Sequence, residues 1–262
     1  ADYLSYFGMT KATEFKNAWQ DFYARKSWAY VQDQMPTTHP ITADAADTEI
    51  AISNFDGISY SKGASVLKQL MFYIGEENFK KGVQDYFKKH QWQNTELKDF
   101  REALQKASGK NLKKFFKSWL STTGVNTLQI IKEKNKIILV QHPSKNGIIR
   151  QHKTKIAVFN KDKILEIPII YNKSKTNLKL KISDFDFIFP NYEDKDYIKV
   201  RLDNKSIFYV KENLTEIKDE LTRQMIYGTL WDMLRDAQLS PAIFLELVLK
   251  NSPVENNLLS LE

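Results

Sequence analysis

The stretch "NFDGISYSKGASVL", residues 54 to 67, sets three serines, a lysine and a tyrosine around two glycines. Each residue type invites a different chemistry. A serine nucleophile on a strained strand-to-helix turn takes the form G-x-S-x-G, but "GISYS" carries its glycine on one side only, so Ser59, Ser61 and Ser65 read as residues that open a helix. A phosphate loop places glycine ahead of lysine, whereas here Lys62 precedes Gly63. A hydrolytic metal site needs about three converging ligands, most compactly two histidines at i and i+4 of one helix. His39, His90, His142 and His152 include no such pair. Cysteine is absent, which excludes disulfides, thiolate metal sites and cysteine nucleophiles together. What remains is Tyr60. A tyrosine at the start of a helix is more often a core residue than a catalyst, and its own sequence position leaves both roles open.

The elements that must position it fall into three runs. Up to about residue 125 the apolar spacing is helical. Residues 1 to 34 read as one helix through Phe15, Ala18, Trp19, Phe22 and Tyr23, and "QMPTTHPITADAADTEI" reads as a loop. A helix then starts at Tyr60 and stops at Gly75, followed by a run through Phe79, Val83, Tyr86 and Phe87. Thr95 reads as the cap of a helix that ends at Gly109, and Asn111 as the start of another ending before Gly124. From Val125 the period drops to two. "LQIIKEKNKIILVQH" and "KTKIAVFNKDKILEIPIIY" read as strand pairs around Lys-Asn and "NKDK" turns, and "LKLKIS", "DFIFP" and "YIKVRLD" make about seven strands, enough for a small β-sandwich. Helical spacing returns after Asn204, ending in a helix with Ser240 as cap and Pro241 in its first turn.

A length of 262 residues exceeds one typical domain of roughly 100–200 residues. The expected units are 1–125, helical; 126–204, a β-sandwich; and 205–262, the beginning of a second helical unit. The net charge of +7 belongs to one segment, because residues 126–183 hold 12 Lys and one Arg against three acidic residues. These lysines alternate with apolar residues, as on a strand with one wet face. Phe159 and Tyr171 are the only aromatic rings of Phe, Tyr or Trp type among them, too few for the stacking that single-stranded nucleic acid asks for. No nucleic-acid partner is expected. The apolar runs, such as "IPIIY", are far shorter than the ~20 residues of a membrane-spanning helix. The first residues lack the basic and apolar segments of a signal peptide, and the missing cysteines lean toward a cytoplasmic location.

"FDGISYSKGASVLKQL" resembles the stretch that carries the catalytic tyrosine in the aminopeptidase N family of zinc metallopeptidases, the gluzincins. Phe55, Tyr60, Lys62 and Gly63 carry the likeness, in the pattern of an aromatic followed by Y-x-K-G. "THPI" at 38–41, "GEENFKKGVQDYFKKHQWQNTELKDFREAL", "WLSTTGVNTL" and "LTRQMIYGTLWDMLRDAQLS" resemble further family segments, so that the likeness extends over the whole chain. It implies a multidomain α and β fold: the helical C-terminal part of a thermolysin-like catalytic domain, a small β-sandwich, and the start of a C-terminal helical domain. It implies a peptide substrate, with Tyr60 as the catalytic residue that stabilises the oxyanion of the transition state. A phenol, with an ordinary pKa of about 10, keeps its proton at neutral pH and can donate it in a hydrogen bond. Lys62 is expected to face solvent or to be paired, and Gly63 to permit close helix packing near the site. "ADYLSY" resembles residues just past the family's N-E-x-F segment, whose glutamate is the third zinc ligand. The zinc ligands, the H-E-x-x-H general base and the G-A-M-E-N amine site are thereby placed upstream of residue 1. By that resemblance the isolated chain has no metal or cofactor ligand and is inactive. The competing expectation is a non-catalytic interaction module that keeps the same scaffold.

Overall fold

The computed structural model describes residues 2–42, 46–133, 136–160, 163–178, 180 and 185–261. The chain opens with a helical hairpin, α1 (Asp2–Ala12) and α2 (Ala18–Gln32), where the spacing predicts one helix. The break at residues 13–17 is held by local bonds: Lys16 Nζ donates to the carbonyls of Thr10 and Thr13 at 3.2 and 2.8 Å, satisfying the exposed end of α1. Folding the chain back stacks Tyr6 on Trp19 and packs Tyr3 against Trp19 and Tyr6 against Phe22 at tilted angles. Phe15, expected on the apolar face, lies exposed at the bend.

The predicted loop before Tyr60 contains a short helix, α3 (Thr48–Ser53), because the Asp47 side chain accepts from the Ile50 amide at 2.8 Å. A single π-helical turn, Ile58–Lys62, then leads into α4 (Gly63–Ile74). It is followed by α5 (Glu76–His90), α6 (Leu97–Ser108) and α7 (Lys113–Leu120). Gly75 and Gly109 terminate α4 and α6 with φ of 92° and 66°, as their positions suggest. Thr95 is not the cap of α6. Its hydroxyl meets the Tyr86 hydroxyl at 2.6 Å, and the Asp99 carboxylate accepts from the Glu96 amide at 2.9 Å instead.

Strands β1 (Thr127–Glu133), β2 (Lys136–His142), β3 (His152–Asn160), β4 (Lys163–Tyr171), β5 (Lys175–Leu178), β6 (Phe187–Pro190) and β7 (Lys199–Arg201) form two sheets. Their orders are β5-β2-β1-β7 and β4-β3-β6. β1 and β2 pair antiparallel from Thr127 opposite His142 to Glu133 opposite Lys136, while β1 and β7 run parallel. Leu128, Ile137 and Leu139 from the first sheet share a core with Ile156, Val158 and Ile188 from the second, so the sheets face each other as a sandwich. The Lys-Asn turn, the centre of "NKDK" and most of "LKLKIS" lie outside the described residues. Of the strand expected at "LKLKIS", Leu178 is described as the last residue of β5.

Helices α8 (Asn204–Asn213), α9 (Glu220–Arg235), α10 (Pro241–Asn251) and α11 (Leu258–Leu261) follow. Asp203 and Asp219 cap α8 and α9 through side-chain bonds to the amides of Ser206 and Thr222. Ser240 takes the cap position of α10 without such a bond, ahead of Pro241. Among the described residues no helix is long and apolar enough to cross a membrane.

The first helices meet the sandwich across a buried ionic seam. Lys26 and Lys68 both reach the Asp194 carboxylate, and His152 Nδ1 meets Asp196 Oδ2 at 2.8 Å. These carboxylates sit on a strained loop in which Asn191, Glu193 and Asp194 have φ between 52° and 62°. Asn and Asp tolerate that region better than most residues. The charges expected on wet strand faces are partly engaged as well: Lys155 pairs with Glu166 and Glu193, and Lys153 Nζ donates to the Phe72 carbonyl.

Candidate active site

Tyr60 occupies the middle of the Ile58–Lys62 turn, half-buried, with its ring 5.5 Å from that of exposed Phe55. It lines an open cavity of about 330 Å³ whose walls are mostly apolar, among them Ile41, Leu67, Phe100 and Phe116, with Asp2, Thr42 and Ser59 as polar members. The rim is closed on one side by the loop at Thr42, whose amide and hydroxyl both donate to the Leu120 carbonyl, at 2.9 and 2.8 Å. Among the described residues no hydrogen-bond partner meets the Tyr60 hydroxyl. The ring therefore stands on an open wall, and is not sealed in the helical core.

The turn that carries it is fastened at each end. Asp56 Oδ1 accepts from the Ser59 amide at 2.9 Å and the Asp56 carbonyl accepts from the Tyr60 amide at 3.1 Å. Asp56 Oδ2 meets His39 Nε2 at 2.8 Å, and His39 Nδ1 lies 2.8 Å from the Pro40 carbonyl oxygen. His39 is thus a brace between the "THPI" loop and the tyrosine turn. Gly57 donates its amide to Gln32 Oε1 at 2.6 Å. A Cβ there would lie 2.8 Å from that oxygen and 2.9–3.0 Å from the Ala29 backbone, closer than packed atoms tolerate.

Lys62 does not face solvent. Both its side chain and that of Asp33 are fully buried, with Nζ 2.9 Å from Asp33 Oδ2. Burial pushes the Lys62 ammonium pKa down from its ordinary value, against the pull of the Asp33 charge, and nearby Arg150 adds to the lowering. Gly63 is not the close-packing glycine: a Cβ on it would meet Ile41 Cγ2 and the Ile58 carbonyl at 3.9 Å, ordinary contact. That role belongs to Gly57.

The sequence motif yields Tyr60, Lys62 and Gly63 but misses Asp33, Asp56, His39 and Gly57 as the residues that hold the turn. Asp56 and Gly57 lie inside the quoted stretch, and Asp three residues before Ser59 is a recognisable capping spacing. Asp33, at the end of α2 and 29 positions from Lys62, has no local signal.

Residues 1–119 match the family described as the Peptidase family M1 domain. The chain is 35% identical to "Aminopeptidase N" of Streptomyces lividans over 277 aligned positions, covering 94% of this chain and 31% of that protein. It is 32% identical over 142 residues to "Tricorn protease-interacting factor F2" of Thermoplasma volcanium, covering 54% of this chain and 18% of that one. With "Glutamyl aminopeptidase" of Bos taurus it shares 40% identity over 103 residues, 39% of this chain and 11% of the relative. The likeness is thus to the M1 peptidases through residues 1–119, and to a protein named as an aminopeptidase N along most of the chain. The chain spans under a third of the length of each of these relatives.

Proposed function

We propose that this chain is part of a zinc-dependent aminopeptidase that removes N-terminal residues from peptides, with Tyr60 as the donor that stabilises the oxyanion. The observation that carries this is the placement of one phenol, on the wall of an open apolar cavity and without a protein partner among the described residues. The match of residues 1–119 to the M1 domain and the relatives named as aminopeptidases support it. On the same reading, residues 1–125 form the helical C-terminal part of a thermolysin-like catalytic domain, 126–204 a β-sandwich domain, and 205–262 the opening of a C-terminal helical domain.

Among the described residues no group of three or more His, Asp or Glu could hold a metal ion. These residues do not fit a zinc site, and the chemistry this chain's own side chains supply is that of the tyrosine. Attack of water on a peptide carbonyl turns a planar, weakly charged oxygen into a tetrahedral oxyanion. A phenol that keeps its proton donates a stronger hydrogen bond to the second than to the first. Apolar walls raise the worth of that bond by excluding the water that would screen it. The amino end of the helical run through α4 adds a weak positive field beside the ring. Alone, the chain is proposed to be inactive.

The test is Tyr60→Phe in the intact protein. The kcat for an aminoacyl anilide is expected to fall by roughly 10²–10³ with a much smaller change in KM, since the bond is made mainly in the transition state. A rise in KM with kcat intact would make Tyr60 a substrate-binding residue instead.

A further inference from the structure

We infer that Asp33 is a positioning residue for Tyr60, acting through the buried ion pair with Lys62 that pins the π-helical turn between them. The inference rests on the role proposed for Tyr60 only for its effect on rate.

A single π turn is a rare conformation that relaxes to ordinary α-helix unless its surroundings hold it. Here the Gly57 carbonyl accepts from the Ser61 amide and, five residues on, from the Lys62 amide, both at 2.9 Å, the second being the widened bond of such a turn. The extra residue turns neighbouring side chains to different sides of the helix. Tyr60 lines the cavity, while Lys62 enters the protein interior and is fully buried. What Lys62 finds there is one carboxylate that gathers the surrounding elements. Asp33 Oδ1 accepts from the Thr38 hydroxyl at 2.8 Å and from the Gly124 amide at 2.7 Å. Asp33 Oδ2 takes Lys62 at 2.9 Å and the Tyr197 hydroxyl at 3.3 Å. The end of α2, the loop toward His39, the junction into β1 and the segment before β7 are thereby fixed to one group. Lys62 Nζ also donates to the Thr122 carbonyl at 3.3 Å, which adds the end of α7.

A buried charge cannot drift from its partner without leaving both ions unsolvated, so the pair is a stiff link. Tyr60 sits two residues from that link on the same turn. Displacing a reacting group by about 1 Å costs about 10²-fold in rate, so a turn free to relax would take the phenol out of register with the oxyanion while leaving the cavity in place.

The experiment compares four forms of the intact protein: wild type, Tyr60→Phe, the charge-free pair Asp33→Asn with Lys62→Met, and all three substitutions together. Removing both charges orphans neither member of the pair and leaves the local net charge unchanged, while buried Arg150 keeps its bonds to Ser118, Thr122, Thr123 and Asn126. Two readouts are taken, steady-state kinetics and hydrogen exchange of residues 56–64. The expected result is a kcat lowered about 10–100-fold by the charge-free pair with KM changed less than about 3-fold. On the Tyr60→Phe background the same change should cost less than about 3-fold more, because there is no hydroxyl left to misplace. Exchange at 56–64 should rise at least about 10-fold while that of the second half of α4 is unchanged. Equal losses on both backgrounds overturn the inference, since a merely structural role adds independently; so does unchanged exchange at 56–64. If Tyr60→Phe proves as active as wild type but exchange still rises, the pinning stands and the role of the tyrosine falls. Should the charge-free pair fail to fold, Thr38→Val removes one of the donors on Asp33. It is expected to give the same pattern at about 2–5-fold, and unchanged exchange at 56–64 there overturns the inference equally.

Discussion

Tyr60 and Lys62 lie two residues apart on one turn and meet opposite surroundings. The tyrosine lines an open, apolar cavity with its hydroxyl unmatched among the described residues, while the lysine is fully buried against a carboxylate that holds three further donors. A group used in a transition state must keep bonding capacity free in the resting protein. It therefore cannot fix its own position through that group. On the proposed reading the neighbouring residue supplies the fixing, which is stiffest where water is excluded and charges are paired. Open cavity and closed seam are two halves of one arrangement.

The largest expected way to break it is Asp33→Leu, which leaves the Lys62 ammonium buried without its counter-ion and should destabilise the chain by roughly 3–5 kcal/mol. Thermal melting checks this; a loss below about 1 kcal/mol would mean that Lys62 swings out to water. Lys68 gives a second contrast, within the seam itself. Burial lowers its pKa to about 8 from 10.5, with Asp194 opposing and Lys26 adding to the fall. Between about pH 8 and 10.5 the unfolded chain then binds more protons than the folded one, so this group makes stability rise with pH across that window. Below pH 8 the penalty for burying its charge is fully present. Lys68→Met should be more stable than wild type at pH 7 by roughly 1–3 kcal/mol, the gap closing as pH rises toward 10. A gap that widens instead would show that the ammonium is a net stabiliser.

Two glycines sharpen the comparison at smaller scale. Gly57→Ala forces a methyl to within 3.0 Å of Ala29 and of Gln32 on α2, and should cost roughly 1–3 kcal/mol. Gly63→Ala, six positions on, places its methyl at 3.9 Å from its neighbours. There the lower entropy of alanine in the unfolded chain favours a gain of up to about 1 kcal/mol. Denaturant titration of both variants tests the pair, and similar losses would put the close approach at the wrong glycine.

The sequence disclosed the helices from Tyr60 to Leu120 because their apolar residues recur at helical spacing and glycines end two of them. It also disclosed the switch to strands near Thr127, where the period changes. The break at residues 13–17 was hidden because a hairpin of two helices keeps apolar residues on both sides of the bend. The helix at Thr48–Ser53 was hidden because it buries none of its residues and has no apolar period to show. Within the candidate site, the motif points to Tyr60, and the structure sets that ring on the wall of a cavity. Its supports were less legible, because an ion pair between Asp33 and Lys62 depends on how α2 packs beside the turn, and packing across 29 residues leaves no spacing to find. A lysine in such a motif reads equally as solvent-facing or paired, and only the packing shows that it is paired and with which acid.

The central claim is that the Tyr60 hydroxyl bonds the oxyanion and little else. Its most direct test is the affinity of the intact protein for a phosphinic pseudopeptide, whose tetrahedral, negatively charged group imitates that oxyanion, measured for wild type and Tyr60→Phe beside kcat/KM. The predicted result is a loss of affinity of roughly 10²–10³, equal to the loss in kcat/KM. Unchanged affinity for the analogue in Tyr60→Phe would contradict it.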